Sequence, residues 1–347
     1  MYQASRIGGM SSPRPNTVDI EQGLLELFRR GLRDAVQNEV GPPEKKLDSI
    51  RTHKLVLCGI REFDLESQVT TQWYLDGDML PNLPSENDGV TIVTNAGFDE
   101  GPFPSRQEVR DYYLEDLEDS IPTEETLSRI LEQDAFKWLK KYYSAREIPF
   151  SEVYQTNLEI YLRLQNFQKY LNPDDQCQEL TGSTTPENIA NEISDATERM
   201  KEALIEHALF QSIPPYVTEF NRTANQILNR ISEDIKKEGD NEEYYKLVSH
   251  LSRFYYKAVW QPIADRIGYY TVSAPSDQKE KETREYRTQN LQLAQGEFFD
   301  ELNQLRDKAR EFDIRFEVRT ERLPRFNPEE SGLEEVLSLD IDAAEAS

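Results

Sequence analysis

The chain has 347 residues, 37% of them hydrophobic, and a formal charge of −25 at pH 7. That length can bury a substantial core and points to two domains or one elongated one. The charge speaks against broad nucleic-acid binding, because phosphate contact needs a basic footprint. No run approaches the ~20 apolar residues of a membrane-spanning helix.

The acids are 41 Glu and 24 Asp, against 25 Arg and 15 Lys. An acid-rich, lysine-poor surface is a halophile-like composition, since concentrated salt screens its self-repulsion. The fit is partial, because Glu outnumbers Asp and several lysines cluster, so an ordinary acidic protein fits as well. The two cysteines, Cys58 and Cys177, make neither a disulfide framework nor a zinc pattern. Free thiols suit a reducing compartment, and the first residues lack a secretory apolar core. The expected location is cytoplasmic.

Residues 1–16 are rich in Ser, Gly and Pro and read as a flexible arm. A helix follows over 17–40, with Leu25, Phe28, Leu32 and Val36 on one face. Arg29, Arg30 and Arg33 flank that face as the first local basic cluster, and Gly23 and Gly31 weaken the helix. A second helix over 47–63 carries Ile50, Leu55, Leu57 and Ile60, with Cys58 as a small core residue. Val69, Trp73, Tyr74 and Leu75 then form an aromatic group, followed at once by Asp76-Gly77-Asp78. Residues 89–94 (GVTIVT) give the clearest strand signal, and 314–320 (IRFEVRT) is its best pairing partner.

Ser105 and Glu108 have capping-box spacing and open a helix through Val109, Tyr112, Tyr113 and Leu117. Another helix starts at 122–125 and runs past Trp138, and a third opens at 149–151 and stops before Asn172. The polar stretch 172–186 reads as a linker. Thr185 as cap and Pro186 as first helical residue launch the next helix. One more follows Pro214-Pro215. The helix at 241–268 has the most continuous apolar stripe: Tyr244, Val248, Leu251, Tyr255 and Ala258. Pro262 inside it predicts a kink, past which the apolar rhythm resumes at Ile263 and Ile267, shifted by one residue. Either the bent helix simply serves the core or the kink shapes a pocket near Trp260. A polar stretch at 273–282 precedes a last helix over 282–312. The expected fold is mostly α: a helical N-terminal region (17–171) with a minor β element, then an antiparallel long-helix bundle (187–325). Residues 326–347 hold seven acids and no Lys or Arg, with Leu333, Val336 and Leu337 among them. They read as an acidic tail, either merely solubilising or folding on a partner's groove.

The signatures of phosphate-binding loops, dinucleotide turns, zinc-protease helices and serine-hydrolase elbows are missing. No cofactor is implied. The histidines are His53, His207 and His250 alone, which leaves no histidine-rich metal site. Asp76 and Asp78, alternating around a glycine, are the one acid pair placed where both could face a divalent cation, although Asp-Gly is also an ordinary turn. The leading expectation is a non-enzymatic scaffold that binds a protein partner through Trp73 and Tyr74 or through Leu333, Val336 and Leu337, with oligomers left open. The alternatives are a metal-dependent enzyme using Asp76 and Asp78, and a DNA-associated regulator active at high salt.

Overall fold

The structure, a computed structural model, describes residues 17–39, 41–42, 47–75, 77–83, 103–145, 150–172, 185–235, 241–316 and 323–324. It is mostly α with a minor β element. Helix α1 (Thr17–Glu39) buries Leu25, Phe28, Leu32 and Val36, the face its spacing predicts. Helix α2 (Ser49–Glu62) starts where the Asp48 carboxylate accepts the Arg51 backbone N–H at 2.8 Å. The hairpin β1 (Gln72–Tyr74) and β2 (Gly77–Met79) is antiparallel, with Trp73 opposite Asp78. The strand expected over 89–94 lies outside the described residues, as does 317–320 of its partner. Residues 314–316 are not strand, and the Ile314 N–H donates to Ala309 O at 3.2 Å.

The capping box at Ser105 and Glu108 is formed and opens α3 (Arg106–Asp111), which continues through a π-helical turn (Tyr112–Asp116) into α4 (Leu117–Ser120). The single helix expected after 122 is two, α5 (Leu127–Glu132) and α6 (Ala135–Ala145). The reason is local: the Asp134 carboxylate accepts the N–H groups of Phe136 and Lys137, both at 3.1 Å, and so starts a new helix. Helix α7 (Ser151–Leu171) follows Phe150, whose φ is +63°, and α8 (Pro186–Ile205) is capped by Thr185.

Helix α9 (Pro214–Ile235) precedes α10 (Asn241–Phe254), a π-helical turn (Tyr255–Trp260) and α11 (Gln261–Thr271). Those last three are one continuous helix, and the break in its α pattern is the π turn just ahead of Pro262. There the Gln261 N–H reaches back to Tyr256 O, five residues away. A π turn holds one extra residue, which accounts for the one-residue shift in the apolar rhythm. Helix α12 (Asp277–Arg310) begins before the expected 282, because Ser276 caps it and its first two turns are polar all round. Helix α7 packs on α8, α8 on α9, and α10 on both α7 and α12. Buried apolar residues from Leu24 to Ile314 form one cluster. Among the described residues no helix is long and apolar enough to cross a membrane.

Candidate functional site

The hairpin is where the molecule concentrates its buried charge. Lys54 and Arg61 stand seven residues apart on α2, two helical turns, and so share a face. Both reach Asp78 on β2. Asp78 Oδ1 accepts from Lys54 Nζ at 3.0 Å and from the Tyr143 hydroxyl at 2.5 Å, while Oδ2 accepts from Arg61 at 3.0 Å. Lys54 also donates to the Asp78 carbonyl, and the Asp78 N–H donates back to the Tyr143 hydroxyl at 3.0 Å. Lys54 is 1% and Asp78 4% exposed, so this charge is paired away from water. Burial pushes the Asp78 carboxyl up, but Lys54, Arg61 and Tyr143 outweigh it and hold the group well below the usual carboxylate range. Burial lifts the Tyr143 hydroxyl well above its ordinary value, with the Asp78 charge adding to it.

Two further networks converge on the same region. Glu21 of α1 is fully buried and accepts from Thr70 N–H at 2.8 Å and Asn82 Nδ2 at 2.9 Å, and it pairs with Lys279 of α12. Asp265 of α11 accepts from Arg287 at 2.5 Å and Asn290 at 3.3 Å. Burial raises the Asp265 pKa, and Arg287 and Asn290 offset it only in part. Trp260 Nε1 donates to Leu75 O at 2.9 Å and ties the π turn to the hairpin bend.

Of the residues singled out in the sequence, Asp78 is the centre of an ion network with both oxygens engaged by cations or a hydroxyl. A metal ion would have to displace Lys54 and Arg61 from a buried carboxylate, so this geometry gives the metal reading no support. Asp76 lies outside the described residues. Among those described, no three His, Cys, Asp or Glu side chains come together to hold an ion. Trp73 is corrected as a partner-facing residue: it is 4% exposed and packs against Tyr143 and Tyr154 at ring distances of 5.6 and 5.8 Å. The backbone of Tyr74 is in β1 and its side chain is not described. Leu333, Val336 and Leu337 lie outside the described residues. Trp260 fills the core at 0% exposure rather than lining a pocket.

His207 packs against Phe150 and Phe210, His250 meets Lys308 of α12, and burial beside Lys54 depresses the His53 pKa to about 4. Cys58 is a buried thiol 3.7 Å from the Tyr142 hydroxyl.

The sequence reading missed Lys54 and Arg61 as partners of Asp78. The available signal was a lysine at the head of the apolar run LVLCGI with an arginine just past its end. A cation on a buried face requires an anion from elsewhere in the chain.

The depressions lie on the surface. One of about 630 Å³ runs along α11 and α12 between Tyr269, Lys281, Arg284 and Gln292. Another of about 330 Å³ is lined by Thr70, Gln72, Asn82, Lys279, Tyr286 and Arg287. A third, of about 380 Å³, sits between α1 and α3 and is lined by Glu26, Arg29, Arg30, Arg33, Asp34 and Arg106. Comparison with known proteins adds nothing to this geometry: no family model, curated protein or solved structure matches the chain.

Proposed function

We propose that this protein is a non-catalytic helical scaffold that binds a protein partner. The observation that carries the reading is the surface of α12. Its buried residues are Arg287, Leu291, Ala294, Phe298, Leu302, Leu305 and Ala309, a stripe at steps of four and three from 287 to 309. That is one packed seam, and the rest of the helix faces outward. Tyr286 and Leu293, seven residues apart on one outward face, are 55% and 62% exposed. Large apolar side chains exposed two turns apart on one face of a helix are what a helix-packing partner would cover. The deeply buried charges support the same reading. Asp78, Asp265 and Glu21 are each spent on internal cations, which is the pattern of structural ion networks rather than of groups poised over a substrate.

The test is affinity capture with the intact chain and with a Tyr286→Asp, Leu293→Asp variant, identified by mass spectrometry. Both positions are exposed, so the variant keeps its far-ultraviolet spectrum. The expected result is a partner recovered by the natural chain and lost with the variant, with sedimentation equilibrium separating a foreign partner from a second copy. Capture of the same proteins by both, and no self-association, would overturn the reading.

A further inference from the structure

We infer that the outward face of α12 takes one class of partner: an amphipathic helix whose apolar residues are flanked by Lys and Arg. This rests on the reading of α12 as a docking face and names what docks there. The exposed pair Tyr286 and Leu293 marks the site, and the charge around it selects the occupant. In a chain with 30% charged residues, the stretch from Thr288 to Gly296 carries none. Protein interfaces are arranged this way, with a centre poor in charge and a polar border.

Here the border is acidic. Glu282 and Asp300 lie on the same outward face as Leu293, and Glu285 and Glu297 flank it on either side, all four exposed. From Thr288 to Leu305 the helix has no Lys or Arg. Elsewhere on α12 acids meet cations, as in Arg284 with Glu280 and Arg253 with Glu301. Glu282, Glu297 and Asp300 have no ion pair among the described residues, and Glu285 meets Lys281 at 3.9 Å. Gly296 adds a second feature. A Cβ there would meet nothing within 4 Å, so the fold itself has no need of the glycine. A glycine weakens a helix interior, and this one lies one turn from Leu293 on the exposed face, where it lets another backbone come close.

The other candidate occupants set acid against acid. A second copy of the chain, laid parallel or antiparallel across Leu293, brings this border against its own, and like charges face to face oppose association. Residues 326–347 hold seven acids and no Lys or Arg, so they carry the same sign. A basic amphipathic helix has the matching sign at both ends of the face and apolar anchors at the spacing of Tyr286 and Leu293.

The test uses the full chain and two labelled synthetic helical peptides with the same Leu positions, one with Lys and one with Glu at the others. Binding is read by fluorescence anisotropy at physiological ionic strength. The expected result is binding of the Lys peptide and not of the Glu peptide. Leu293→Gln, a neutral change at an exposed position, should weaken it about tenfold. Glu297→Gln with Asp300→Asn should weaken it about fivefold, while Glu118→Gln with Asp119→Asn, the same charge change at exposed positions of α4, should leave it unaltered. Gly296→Gln should raise the urea midpoint and still weaken the peptide, which separates the face from the fold. Equal weakening by the two charge variants would mean that the whole acidic chain attracts the peptide, and it overturns the inference. Preference for the Glu peptide overturns it too, as does self-association that sedimentation equilibrium finds lost in Leu293→Gln. If the preferred peptide or the second copy depends on Leu293, the docking face stands with a different occupant. Binding of either peptide that is indifferent to Leu293→Gln removes the docking face itself.

Discussion

Asp78 shows how much one side chain can be asked to hold. Its buried carboxylate balances the buried Lys54 and the partly exposed Arg61 and anchors the Tyr143 hydroxyl. Removing one member of a buried ion network leaves the others charged and unpaired, at about 3–5 kcal/mol. Asp78→Asn is therefore expected to lower unfolding stability by about that amount at pH 7, measured by urea denaturation. The pH dependence carries a second signature. The folded-state pKa of Asp78 is depressed, so its contribution is present above the unfolded pKa of about 3.9 and is lost as pH falls below that value. The gap between natural chain and variant should narrow from pH 5 downward; a gap constant with pH would mean the depression is absent. Gly77 beside it has φ +83°, and an added Cβ would lie 1.9 Å from the Tyr143 hydroxyl oxygen, so the glycine is required for the tyrosine to reach Asp78. In the sequence this same Asp-Gly-Asp read either as an ordinary turn or as an acid pair facing a cation. The turn was legible because its chemistry is local. The burial was not, because it depends on two cations on α2 and a tyrosine on α6, which only the folded chain brings together.

The long helix from α10 through α11 poses its question at the level of the element. Its burial was written in the spacing of Tyr244, Val248, Leu251 and Tyr255, all of which are buried. Pro262 and the shift of the stripe by one residue were visible as well, but spacing alone does not distinguish a bent α-helix from an inserted residue. The structure inserts one, and the π turn is compatible with a proline that has no N–H to donate and crowds the carbonyl four residues back. A deletion separates cause from consequence. Lys257 is the exposed residue of the π turn, and removing it should restore a regular α-helix with both flanks in register. A regular helix then has to absorb Pro262 in its interior, at about 3 kcal/mol. Deletion of Lys257 alone should therefore be less stable than the same deletion combined with Pro262→Ala, by about 3 kcal/mol in chemical denaturation. Equal stabilities would show that the π turn exists for the packing of Trp260 rather than for the proline. The start of α12 was illegible for a different reason. Its first two turns carry no apolar stripe, so only the cap at Ser276 marked them, and a single serine in a polar stretch is an ambiguous signal.

On the scale of the whole molecule, the charge of −25 is the dominant unexplained quantity, since the fold needs few of those acids. The buried ones among the described residues, Glu21, Glu26, Asp78, Glu125 and Asp265, are matched by cations, so the excess lies outside these networks and repels itself. Self-repulsion opposes the compact state, and salt removes it once the screening length falls from ~10 Å at 0.1 M to ~3 Å at 1 M. The buried pairs are screened far less, so added salt relieves the surface without weakening the core networks. Stability should therefore rise between about 0.1 and 1 M potassium chloride, seen as a higher urea midpoint at an unchanged slope. An unchanged slope matters, because it shows that the same surface is exposed on unfolding and that only the electrostatic cost has moved. A midpoint that stays level or falls would mean that the surface acids are already balanced by nearby arginines, such as Arg222 against Glu219 and Arg284 against Glu280, and that the acidic composition is not an adaptation to salt.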